Sequence, residues 1–199
     1  MENIGISAKI EFIKAALAKT GRPLVMIGMM GSGKSKIGEA LAQSFGFGFI
    51  DTDAEIVKTF GKITDIFAND GEAAFRSMEL NAVKAALEQT QAVISVGGGA
   101  FFQKQTRKTI QEGGLSIWLN ADLETIYNRV KDKTSRPLLE KGGDKRGNVE
   151  RLLAERTPIY QTSHVHVSVT DDGAASKEES IAQNRDRVIN ALYKHLKPA

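Results

Sequence analysis

Residues Gly28–Ser35 read GMMGSGKS, a complete GxxxxGK(S/T) phosphate-binding loop, and the residues before it, Leu24-Val25-Met26-Ile27, are the apolar run of a buried strand. That pairing decides the fold. A strand must deliver such a loop and a helix must leave it, because successive loop N–H groups and the helix N-terminus together form an anion cradle for phosphates. The helix follows in Ile37–Phe45. The bare pattern arises by chance in roughly one chain of this length in a hundred, and the strand-before, helix-after context makes chance rarer still. It gives Gly31, Ser32, Gly33, Lys34, Ser35 and Lys36 as the ATP-binding stretch, with Lys34 reaching the β- and γ-phosphates and the Ser35 hydroxyl ligating Mg²⁺.

Strands and helices alternate outward from the loop. Phe47–Ile50 reads as a second strand that delivers Asp51-Thr52-Asp53 at its carboxyl end, where ligands bind in open α/β sheets. Ala54–Phe60 and Ile63–Ala68 read as short helices and Glu72–Glu88 as a long one; Ala92–Val96 is a third strand that ends in Gly97-Gly98-Gly99. A helix near Gln103–Gln111, a strand at Leu115–Leu119 and a helix at Leu123–Val130 follow. Asn148–Tyr160 is a helix, Val165–Val169 a fifth strand and Lys177–Leu196 a closing helix. Such alternation predicts a mostly parallel sheet with helices on both faces. Residues 132–147, DKTSRPLLEKGGDKRG, break the pattern, being too long, polar and basic for a tight connection.

A chain of 199 residues with 41% hydrophobic content supports one substantial core, hence one domain over residues 1–199. With 27 basic against 24 acidic residues the formal charge is +3, too balanced to grip a polyanion, and the basic stretch lacks interleaved aromatics, so no nucleic-acid partner is expected. The absence of cysteine excludes disulfides and thiolate metal sites and fits a reducing, cytoplasmic compartment. Lys9, Glu11 and Lys14 interrupt the N-terminal apolar stretch, and nowhere does an apolar run reach the roughly 18 residues of a membrane span. Ile6, Ile10, Ile13 and Leu17 fall at helical spacing, and Gly21 with Pro23 would stop that helix, so residues 3–20 read as an amphipathic extra helix packed on the domain. His164 and His166 alternate with Val165, Val167 and Val169 and read as half-buried residues on one face of the fifth strand, with no third metal partner in view.

The loop alone does not say which nucleotide-dependent protein this is; the residues after it do. DTD at 51–53, GEAAFR at 71–76, GGG at 97–99, RPLL at 136–139 and RTPIY at 156–160 occur in that order. The set resembles the shikimate kinase family over residues 24–175, with residues 1–22 as an N-terminal extension outside it. The resemblance implies a P-loop fold of the nucleoside monophosphate kinase type, with five parallel strands, a lid at 132–147 and an acceptor-binding segment at 53–80. It also implies a monomer that transfers the γ-phosphate of ATP to the 3-hydroxyl of shikimate in the aromatic amino-acid pathway.

Phosphoryl transfer asks a protein for alignment and charge neutralisation, so cations, a metal site and acceptor clamps are the groups to seek. Asp51, at a strand end beside the loop, is placed to hold a water on Mg²⁺ opposite Ser35. Asp53 matches the family's acceptor-hydroxyl ligand and base, although Thr52 or Asp53 could instead be an ordinary helix N-cap before Ala54. Shikimate carries a carboxylate, which needs planar cations, and Arg76 and Arg156 match the family's carboxylate-binding arginines. Glu79, on the same helical face as Arg76, would orient it, unless the two are a surface pair worth little. Gly98, flanked by Gly97 and Gly99, offers a backbone N–H with no side chain in the way. Phe67 and Phe75 would wall the cyclohexene ring, although phenylalanines are more often core than ligand. Arg136 heads the lid motif and would close over the phosphates, completing a catalytic set of Lys34, Asp53 and Arg136. Arg129 matches the adenine-stacking arginine, and the loop Thr170–Ala175, with Asp172, would flank the base on its other side.

Two departures from the family pattern stand out. Lys36 replaces the usual threonine and adds a cation near the phosphates, and the stretch from Asp53 to Phe67 is one residue short at Gly61-Lys62-Ile63. A gluconate-type kinase would keep Lys34, Ser35 and Asp51 but has no need of Arg76, Gly98 and Arg156. An ATP-binding regulator without catalysis would have no use for Asp53 and Arg136.

Overall fold

Leu24–Ile27 forms β1 with every side chain buried, as a strand covered on both faces requires. It lies at the centre of a five-stranded, all-parallel sheet of order β2-β3-β1-β4-β5, where β2 is Gly48–Asp51, β3 Ala92–Ser95, β4 Leu115–Ala121 and β5 Val165–Val169. The chain runs from β1 to the edge strand β2, returns through β3 and then crosses to β4. That reversal opens a crevice at the carboxyl ends of the strands. The computed structural model describes residues 4–132, 143–171 and 173–198.

The helices are α1 (Ile6–Thr20), α2 (Lys34–Phe45), α3 (Thr52–Phe60), α4 (Ile63–Asn69), α5 (Gly71–Leu87), α6 (Lys104–Gly113), α7 (Leu123–Val130), α8 (Lys145–Tyr160) and α9 (Lys177–Leu196), with a 3₁₀ turn at Ala100–Phe102. Helices α2, α3, α5 and α8 begin earlier than the hydrophobic pattern suggests, α2 and α8 by the most. Helix α2 starts at Lys34 because Gly33, with φ 99°, ends the loop in a conformation that side chains resist. Helix α8 starts at Lys145 because Asp144 accepts the Gly147 N–H at 2.9 Å and caps it, so residues 145–147 are helix and not connection. Arg146 in that first turn pairs with Glu124 of α7.

The main core gathers β1, β3, β4 and β5 with α2, α9 and the helices of the opposite face. The N-terminal helix belongs to it: Ile13 and Leu17 are buried there, Phe12 meets Tyr193 of α9 edge to face at 5.2 Å, and Lys9 Nζ donates to Asn190 Oδ1 at 2.7 Å. A second, small core holds α3, α4 and α5 together through Ile56, Ile66 and Phe75, edged by Ile63, Phe67, Met78 and Ala82.

Candidate active site

The strand ends deliver the site. Loop 28–33 leaves β1; Lys34 opens α2 buried, its Nζ donating to the Gly28 and Met29 carbonyls at 3.0 Å each. That hold keeps the ammonium inside the loop, where a phosphate oxygen can take the place of the carbonyls. Ser32 Oγ is buried in the same loop without a hydrogen-bond partner among the described residues, so the loop does not satisfy itself.

Asp51 and Ser95 are register partners on β2 and β3, and this brings both to Ser35. Ser35 Oγ donates to Asp51 Oδ2 at 2.7 Å and lies 3.3 Å from Ser95 Oγ. One carboxylate and two hydroxyls are hard oxygen donors that suit Mg²⁺, a cation that keeps several of its own waters. Among the described residues no cluster of three or more His, Cys, Asp or Glu could hold a metal by itself. The other oxygen of Asp51 accepts the N–H groups of Asp53 and Ala54 at 3.1 and 3.2 Å, so Asp51 is the N-cap of α3. Neither Thr52 nor Asp53 caps the helix, which corrects that sequence alternative.

The triple glycine leaves room where side chains and the loop crowd in. A Cβ on Gly97 would sit 2.7 Å from both Asp53 Oδ1 and Glu79 Oε1, so the two carboxyl groups converge on one point. A Cβ on Gly99 would sit 2.9 Å from the Arg76 guanidinium, and one on Gly98 3.1 Å from the Met30 backbone nitrogen. This turn therefore packs against the phosphate loop on one side and Asp53, Glu79 and Arg76 on the other.

Arg76 donates to Glu79 Oε2 at 2.9 Å and to Glu72 Oε1 at 3.0 Å. The Glu79 side chain is 1% exposed, so the pair is no surface ornament. Burial raises the Glu79 pKa and Asp53 adds to it, against the opposing pull of Arg76 and Arg156; burial works against the charge of Arg76, but Glu79 and Glu72 hold its guanidinium above the ordinary range. Arg156 is buried on α8 and donates to the Gly98 carbonyl at 3.0 Å, with the Phe102 ring centroid 5.9 Å from its guanidinium carbon. Tyr160 Oη donates to the same carbonyl at 2.6 Å, and burial pushes its pKa up. Phe75 is buried and Phe67 half-buried, their rings 4.7 Å apart in the small core.

The far end of the crevice is closed by Arg129 of α7. Its Nε and Nη2 donate to Asp171 at 3.0 and 2.6 Å, and its Nη1 donates to the Gly31 carbonyl at 3.0 Å. Hydrogen bonds from Arg129 and Ser180 hold the Asp171 carboxyl below its usual range against modest desolvation. The side chain of Lys36 is exposed and pairs with Glu39 at 2.9 Å. Arg136 and Asp172 lie outside the described residues. From the loop to Arg129 the crevice has a volume of about 790 Å³.

The histidines stand apart from the crevice. His164 is half-buried, with Nδ1 accepting from the Ser116 hydroxyl at 2.7 Å and the Ser116 N–H at 3.1 Å; His166 is exposed and presents its ring to the edge of Trp118, so the two do not share one half-buried face. No helix among the described residues is long and apolar enough to cross a membrane.

The shikimate kinase family model matches residues 30–191. The chain belongs to the shikimate kinase family. It is 46% identical to the shikimate kinase of Ruegeria pomeroyi, over 89% of this chain and 87% of that protein. It is 42% identical to that of Mesorhizobium japonicum, over 93% of this chain and 88% of that protein, an alignment that takes in part of α1. Among solved structures, shikimate kinase from Acinetobacter baumannii in complex with shikimate superposes with a TM-score of 0.74 at 27% identity, covering 88% of this chain and 98% of that one. The chain is accordingly an ATP-dependent kinase, a phosphotransferase with a hydroxyl acceptor.

Within a shikimate kinase fold, four residues of this site have no role assigned to them from the sequence. Ser95 ends a buried strand and reads as core until the register sets it beside Asp51. Tyr160 closes RTPIY, yet only the structure aims its hydroxyl at Gly98. Asp171 and Ser180 meet Arg129 through a loop whose two adjacent aspartates look alike in sequence.

Proposed function

We propose that this crevice transfers the γ-phosphoryl group of ATP to the 3-hydroxyl of shikimate, giving shikimate 3-phosphate and ADP. The observation that carries the reading is the convergence of Asp53, Arg76 and Arg156 on the Gly97–Gly99 turn, which itself packs against the phosphate loop. Lys34 takes the β- and γ-phosphates in exchange for the loop carbonyls, and Arg136 adds positive charge from the lid. Ser35, and Asp51 through water, hold Mg²⁺ with Ser95 beside them; when bound, the ion neutralises charge that builds on the transferring group. Arg76, steadied by Glu79, and Arg156, steadied by the Gly98 carbonyl, take the acceptor carboxylate. Asp53 then orients the acceptor hydroxyl and receives its proton. Phe67 and Phe75 present an apolar wall to the ring. A gluconate-type kinase leaves both arginines without a task. The reaction is placed in the cytoplasm, whose reducing conditions suit a cysteine-free chain, and in a monomer, since one chain supplies every residue named for both substrates.

A coupled ADP-release assay with Mg·ATP tests this. Shikimate should drive turnover, while gluconate and an acceptor-free control should not. ADP release indifferent to shikimate would overturn the reading.

A further inference from the structure

Arg129 lines the crevice yet has little edge to offer a ligand. All three of its guanidinium nitrogens donate to protein acceptors: Nε and Nη2 to the two oxygens of Asp171, Nη1 to the Gly31 carbonyl. A guanidinium gripped by its edge in this bidentate manner is fixed in plane and presents its flat face. Asp171 is itself fixed. Ser180 Oγ donates to its Oδ1 at 2.5 Å, and the buried Asn184 ties the backbone of Thr170 to α9, donating from Nδ2 to the Thr170 carbonyl at 2.9 Å. Ile37 and Ile181 line the same crevice and supply apolar surface for an aromatic base.

We propose that Asp171 is a positioning residue for the nucleotide base: by holding the edge of Arg129 it fixes that guanidinium in plane beside the phosphate loop and makes it a plate on which the purine stacks. The inference rests on the nucleotide reading of the crevice and deepens it. Without the Asp171 charge, Arg129 swings, the plate is lost, and its charge becomes available to a polyphosphate on the loop whose Gly31 carbonyl it already touches.

The test compares ADP with pyrophosphate, which shares the phosphates but lacks the base, by calorimetric titration of the full chain with Mg²⁺ present. Asp171→Asn should weaken ADP about five- to a hundredfold, the range a lost base–side-chain stack produces, while pyrophosphate binds as before or more tightly. In turnover the change should fall on KM for ATP more than on kcat. Ser180→Ala leaves both charges of the pair in place and removes only the hydroxyl that steadies Asp171, so it should shift the ADP-to-pyrophosphate ratio the same way by a smaller factor; it serves as the test if Asp171→Asn folds poorly. An unchanged ratio in both variants, or equal weakening of the two ligands, would overturn the assignment. Failure of the unaltered chain to bind ADP would instead overturn the nucleotide reading on which it stands.

Discussion

The nucleotide half and the acceptor half of the crevice are built differently. The phosphate loop joins β1 to α2, whose Ile27 and Ile37 are buried in the main core, and its residues are consecutive. The proposed acceptor half draws Asp53, Arg76, Gly97–Gly99 and Arg156 from separate elements; α3 and α4 join the start of α5 through a core of three buried side chains, Ile56, Ile66 and Phe75, while the end of α5 is anchored in the main core by Val83 and Ala86. Free energies of local opening track the apolar contact that holds a segment. On the proposed assignment the phosphate site should stay firm while α3, α4 and the start of α5 open more readily around the acceptor.

The difference can be sharpened by substitution. Lys34→Ala strikes the firm half: removing a buried cation aimed at the phosphates should lower kcat/KM by about a thousandfold, with the thermal midpoint little changed, as steady-state kinetics and a melting curve would show. Phe75→Ala strikes the other. Deleting a buried ring of this size costs about 3–5 kcal/mol in a well-packed core, and here the loss should concentrate in α3–α5. The KM for shikimate should rise at least about tenfold while ADP affinity holds, and amide exchange should accelerate over residues 52–78 ahead of β1, β3 and β4. Uniform acceleration across the sheet would show that the halves are not separable.

A smaller effect lies beyond both halves. Burial lowers the His164 pKa, with the charges of Arg22 and His195 adding to it, and the neutral ring accepts from Ser116. A histidine whose folded pKa is depressed stabilises the fold above its unfolded value, near 6.5, and that stability is lost as pH falls through the folded value. His164→Gln should therefore flatten the decline of Tm as pH falls below about 6.5, leaving the kinetics of both halves alone.

The two halves also differ in how far the sequence exposes them. GMMGSGKS is local, and strand, loop and helix follow from contiguous residues, so the nucleotide site and the alternating fold were legible at once. Some helix starts slipped, as at α2, where hydrophobic periodicity begins at Ile37 while the backbone turns helical at Lys34. The acceptor residues were legible as motifs but not as a geometry. That Asp51 would both meet Ser35 and cap α3 depends on which oxygen faces which neighbour. The choice of Asp171 to hold Arg129 was hidden, since the pair spans 42 residues and has no periodic signature.

The most direct test of the central claim, that Asp53 joins the acceptor half to a nucleotide half which works without it, is shikimate-dependent ADP release by Asp53→Asn measured beside its affinity for ADP. The account predicts ADP bound as in the unaltered chain and turnover reduced by at least about a hundredfold. Turnover retained, or nucleotide affinity lost together with it, would contradict it.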